Sequence, residues 1–114
     1  MTMKTTHGHE ISDASVYNYY RFLINLFFKI LPMWESGEPS IIEYMLGVQT
    51  KLLGFAELVP EVGDNPMYIS LVSTLQFLIN NPDLSKTKVK HDVFDCISVC
   101  NKLMSQIMER GGDR

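Results

Sequence analysis

Three histidines, two cysteines and thirteen carboxylates are the side chains in this 114-residue chain that could do chemistry. His7, His9 and Glu10 stand close enough in sequence to share a metal ion. A metal site needs ligands held in fixed geometry and oriented by further hydrogen bonds. Residues 1–11 are polar and aperiodic, and they read as a mobile tail that offers neither. His91, the third histidine, stands among Lys90, Asp92 and Asp95, the pattern of a solvated helix face more than of an acid–base catalyst. Cys96 and Cys100 lie four apart. On one helix their Cβ vectors run parallel, which makes a disulfide awkward. A structural zinc centre would need a second ligand pair that the chain lacks. They read as small buried apolar residues in a reducing compartment.

Motifs with catalytic spacing are absent. The chain holds no glycine-rich phosphate loop, no G-x-S-x-G and no H-E-x-x-H. Neither Arg21 nor Arg110 is followed by a histidine at the four-to-six-residue gap of helical ribonucleases. Glu57 and Glu61 form a carboxylate pair on paper, but Pro60 intervenes and nothing in the pattern buries them. No enzyme, cofactor or metal is expected. Residues 86–91 hold three lysines without arginine or aromatic residues, and acids follow at once. Nucleic-acid binding through that run is the weakest expectation, because groove or strand recognition wants a basic excess with base-reading or stacking groups.

Charge is the remaining clue. Formal net charge is only −3, yet residues 35–64 carry six carboxylates against the single Lys51. That segment suits a basic partner, since complementary charge raises association rates while a few buried anchors hold a complex. The leading expectation is a small cytoplasmic inhibitor of the toxin-immunity or antitoxin type, blocking a basic protein such as a nuclease. Glu35, Glu38, Glu57, Glu61 and Asp64 would supply the charge and Trp34 an anchor. The alternative is a homodimeric secretion chaperone or a phage- or plasmid-type regulator, pairing through its first or third helix.

The elements that position these residues are helical. In residues 16–34 the polar side chains before Pro32 are Asn18, Arg21, Asn25 and Lys29, a single stripe at spacings of 3, 4 and 4. Everything else there is apolar or aromatic, so this helix must be covered on most sides. Its aromatic residues, Tyr17, Tyr19, Tyr20, Phe22, Phe27 and Phe28, are expected in the core, with a self-association surface as the alternative. Ser12 or Asp13 starts the helix, and Pro32 stops or kinks it.

Ser40 and Glu43 have the form of a capping box. From there Ile41, Met45, Val48, Leu52, Phe55 and Val59 recur at helical spacing. Gly47 and Gly54 on the opposite face are either tolerated in solvent or make room for a close neighbour. Residues 60–66 read as a loop, and Asn65 or Asp64, followed by Pro66, begins a third helix that carries no charge. The last helix starts at Ser85 or Thr87, repeats Val89, Val93, Cys96, Cys100, Leu103 and Ile107, and ends at Gly111 and Gly112. Helices over about 13–31, 41–59, 66–80 and 86–110, joined by short loops, predict an all-α fold. The expected architecture is a four-helix up-and-down bundle over residues 12–114, a single domain. The apolar run of the first helix is too short and too interrupted to span a membrane, and no apolar leader opens the chain.

Overall fold

A computed structural model describes residues 1–112; Asp113 and Arg114, the end of the expected domain, lie outside the described residues. The chain runs β1 (Thr2–Lys4), β2 (Glu10–Ser12), α1 (Asp13–Phe28), α2 (Ile30–Glu35), α3 (Ile41–Leu58), α4 (Pro60–Gly63), α5 (Pro66–Asn80) and α6 (Lys86–Gly112). It is mostly helical, with one two-stranded sheet. None of the described helices is long and apolar enough to cross a membrane.

Three helix starts follow from capping side chains. The Ser12 hydroxyl accepts from the Ser15 amide at 3.1 Å, Asn65 Oδ1 from the Met67 amide at 3.0 Å, and Ser85 Oγ from the Lys88 amide at 3.2 Å. Each satisfies a donor that the first helical turn leaves without a partner. The expected capping box does not form. Ser40 sits at φ −87°, ψ 7°, outside the extended region of a capping residue, and its hydroxyl turns to the Glu38 carboxylate at 3.2 Å.

Pro32 acts upstream of itself. Lacking an N–H, it cannot bond to the Phe28 carbonyl, and its ring crowds that same group. The helix expected to reach residue 31 therefore breaks at Lys29, and Pro32 falls in the first turn of α2, where its N–H would have no helical partner anyway.

The long helices pair antiparallel. Arg110 of α6 meets Asp13 at the start of α1, while Phe94 meets Phe28 at its end, ring centroids 6.0 Å apart. The α5–α6 pair is fixed by Asn65–Gln106 at one end and Lys88 over the Phe77 ring at the other. Gln49 bonds to Gln76, and Tyr68 to the Leu52 carbonyl, which sets the α3–α5 pair. Tyrosines span α1 and α3: Tyr44 donates to the Leu26 carbonyl at 2.7 Å, Tyr19 donates to the Lys51 carbonyl at 3.1 Å, and Tyr19 stacks on Phe55. The 27 residues of α6, about 40 Å at 1.5 Å per residue, set the 47 Å long axis.

The core is the one the periodicities mark. All six repeating residues of α6, from Val89 to Ile107, are buried, as are Met45, Val48 and Leu52 of α3 and Leu71, Leu75 and Leu78 of α5. On α1, Val16, Tyr20, Leu23, Leu26 and Phe27 are buried and Asn18, Arg21, Asn25 and Lys29 are exposed, but Phe22 and Phe28, expected in the core, are also exposed, at 46% and 44%.

The expected tail is a correction. Residues 1–11 belong to an antiparallel hairpin in which Met3 pairs with Ile11 and inserts into the core. Gly8 turns the hairpin at φ 83°. The hairpin tip also satisfies the end of α3: the Thr6 amide donates to the Leu58 carbonyl at 2.8 Å, and the Thr6 hydroxyl donates to the Glu57 carbonyl. Helix C-termini leave such carbonyls without intrahelical partners, and Pro60 can donate to none of them. The expected loop over residues 60–66 contains a further turn of helix, α4, folded back so tightly that a Cβ on Gly63 would lie 2.6 Å from the Ala56 carbonyl oxygen.

Candidate interaction surfaces

The six residues expected to meet a partner do not converge. Trp34, Glu35 and Glu38 lie at the α2–α3 corner, whereas Glu57 lies in the last turn of α3, Glu61 in α4 and Asp64 just after it. The 18 residues between the ends of α3 separate the two groups by about 27 Å.

At the α2–α3 corner, Gly37 takes φ 65° and reverses the chain between the two helices. Glu35, Glu38 and, one turn into α3, Glu43 are all exposed, and among the described residues none has an ion-pair partner. Trp34 is half-buried and packs against the core.

At the far end Glu61 and Asp13 serve the fold, while Glu57 and Asp64 are exposed without ion-pair partners among the described residues. Arg110 donates from Nε to Asp13 Oδ2 at 3.2 Å, from Nη1 to Glu61 Oε2, and from Nη2 to the Thr2 carbonyl at 3.1 Å. One guanidinium thus joins α6 to α1, α4 and the hairpin. Asp13 is buried at the N-terminus of α1, where the helix dipole favours its charge. Its Oδ1 has no hydrogen-bond partner among the described residues. Beside this junction lies an open groove of about 580 Å³, with Met3, Tyr20, Leu103 and Ile107 among its apolar lining and Glu61, Asp64 and Arg110 among its polar lining.

The remaining chemical groups have been drawn into structure. Cys96 and Cys100 are free and buried, and burial pushes each thiol up to about 12. Tyr20 and Tyr68 are raised well above the ordinary phenol range, again chiefly by burial. His7, at the hairpin tip, lines an open pocket together with Thr6, Gly54, Glu57 and Leu58. His91, Asp92 and Asp95 bring ligand atoms within 4.8 Å of one another. Lys88 already holds Asp92 Oδ1 at 3.0 Å, however, and the His91 and Asp95 side chains are 68% and 63% exposed, so a cation there would have to displace an ammonium. Of the basic run, Lys88 is likewise committed, to Asp92 and to the face of Phe77.

Sequence reasoning missed Arg110, because nothing in the chain marks two residues 97 positions apart as partners. Compared with protein families, with curated proteins and with solved structures, the chain finds no match.

Proposed function

We propose that this is a cytoplasmic binding protein of the toxin-immunity or antitoxin type, in which four long up-and-down helices present the α2–α3 corner to a basic protein such as a nuclease. The observation that carries this reading is the set of three exposed carboxylates, Glu35, Glu38 and Glu43, without ion-pair partners among the described residues and beside a partly buried Trp34. Free carboxylates draw a basic surface in by long-range attraction, and an aromatic ring at their edge supplies the apolar contact that slows departure. Glu57 and Asp64, about 27 Å away by the length of α3, extend the acidic surface toward a large partner. Glu61 is withdrawn from that role by Arg110.

The test uses wild-type protein and the E35Q/E38Q variant as baits in lysate of the source cell. The reading expects a basic protein retained by wild type, released by salt, and lost from the variant. Identical capture by both baits would remove the corner as the site.

A further inference from the structure

The outer face formed by α3 and α5 has no role in the acidic-corner reading. Leu46, Leu53 and Ile69 are 44%, 51% and 50% exposed. The Gln49–Gln76 hydrogen bond joins the two helices between them. No charged residue occurs anywhere in α5, although Ile69, Ser70, Ser73, Gln76, Phe77 and Asn80 are all exposed. An exposed helix face is ordinarily charged, and depletion of charge with retained large apolar groups is the mark of an interface core. Gly47 and Gly54 sit beside this ridge on α3, and a Cβ on either would meet nothing within 4 Å. Glycine costs about 1 kcal/mol relative to alanine inside a helix, and no contact within this chain requires it at either position.

We infer that a second copy of this chain docks on the α3–α5 face, with the two α3 helices antiparallel about a two-fold axis near Thr50. The pattern of α3 is self-complementary about that point. Leu46 then lies beside Leu53 of the second copy, and Gly47 beside Gly54, so the apolar ridge closes on itself while the glycines let the backbones approach. The centre of this face carries no charge for a charged partner to recognise, whereas the amides of Gln49 and Gln76 donate and accept equally well and suit an identical surface. Two helices about 25 Å long and about 10 Å apart offer on the order of 500 Å² per copy, so about 1,000 Å² in all, the lower bound for a specific interface. The same register sets Glu43 opposite Glu57 of the second copy at both rims, so salt should strengthen the association by screening like charges.

Light scattering across a dilution series, at low and high salt, tests this. The dimer predicts a mass near twice 13.1 kDa at high micromolar concentration, falling on dilution and more resistant to dilution in salt. Leu53→Glu should abolish the dimer. The G47A/G54A variant should weaken it about tenfold or more while raising the thermal stability of the dilute monomer, a pair of opposite effects that damage to the fold would not produce. A monomer at every concentration overturns the inference. A dimer that is indifferent to both variants, or one that salt weakens, overturns the face and register proposed.

Discussion

The two ends of α3 are built from the same residue types and put them to opposite uses. At the hairpin end, Glu61 and Asp13 are bound by Arg110, Gly63 is wedged against a carbonyl, and Thr6 satisfies the end of the helix. At the α2–α3 corner, Glu35, Glu38 and Glu43 are exposed without ion-pair partners among the described residues, and Gly37 turns in open space. Acidity alone does not mark a binding surface. A carboxylate serves the fold when a cation from a distant element reaches it, and it is available to a partner when none does.

The largest expected effect concerns the core that both ends share. Burial raises Cys96 and Cys100 from 9.0 to about 12 and raises Tyr19, Tyr20, Tyr44 and Tyr68 as well. Between about pH 9 and 12 the folded chain therefore holds protons that the unfolded chain has released, and stability falls as pH rises through that window. Circular dichroism in an alkaline titration should show cooperative loss of helix there, with both ends lost together. Helix persisting unchanged through pH 12 would mean that the core is wetter than described.

Next comes the guanidinium junction. Arg110→Met keeps the aliphatic packing but strands a buried Asp13 charge, at a cost of about 2–3 kcal/mol in urea unfolding. Adding Asp13→Asn should recover part of that loss, because the stranded charge disappears. A full, additive loss in the double variant would show that the two residues act independently.

The paired glycines sharpen the contrast at smaller magnitude. Gly63→Ala sets a methyl group 2.6 Å from backbone oxygen, so α4 must shift, costing about 2 kcal/mol by analogy with overpacking. Gly37→Ala meets no atom within 4 Å and bears only the strain of its positive φ, about 1 kcal/mol. Thermal melts of the two variants should therefore fall in that order.

Much of the scaffold is legible in the chain. The six-residue repeat of α6, the Asn65–Pro66 start of α5 and the polar stripe of α1 all appear where local spacing puts them, because each depends on neighbours within a few residues. What escaped depends on distant partners. Strands of three residues are too short to show alternation, and the hairpin is held by Met3 in the core and Thr6 on α3, neither of which local pattern reveals. Gly8, with its positive φ, was the one local sign of a turn. Ser40 and Glu43 match the capping-box spacing, but spacing does not fix the backbone angles a cap requires. The candidate acids are legible as a cluster in sequence only; the length of α3, from Ile41 to Leu58, divides them in space.

The division between the two ends is tested most directly by urea unfolding of Glu61→Gln beside E35Q/E38Q. The account predicts that Glu61→Gln loses about 1 kcal/mol through its bond to Arg110. The double variant, although it removes two charges, should stay within about 0.5 kcal/mol of wild type. A double variant that loses as much as Glu61→Gln would place the corner carboxylates in the service of the fold and contradict the account.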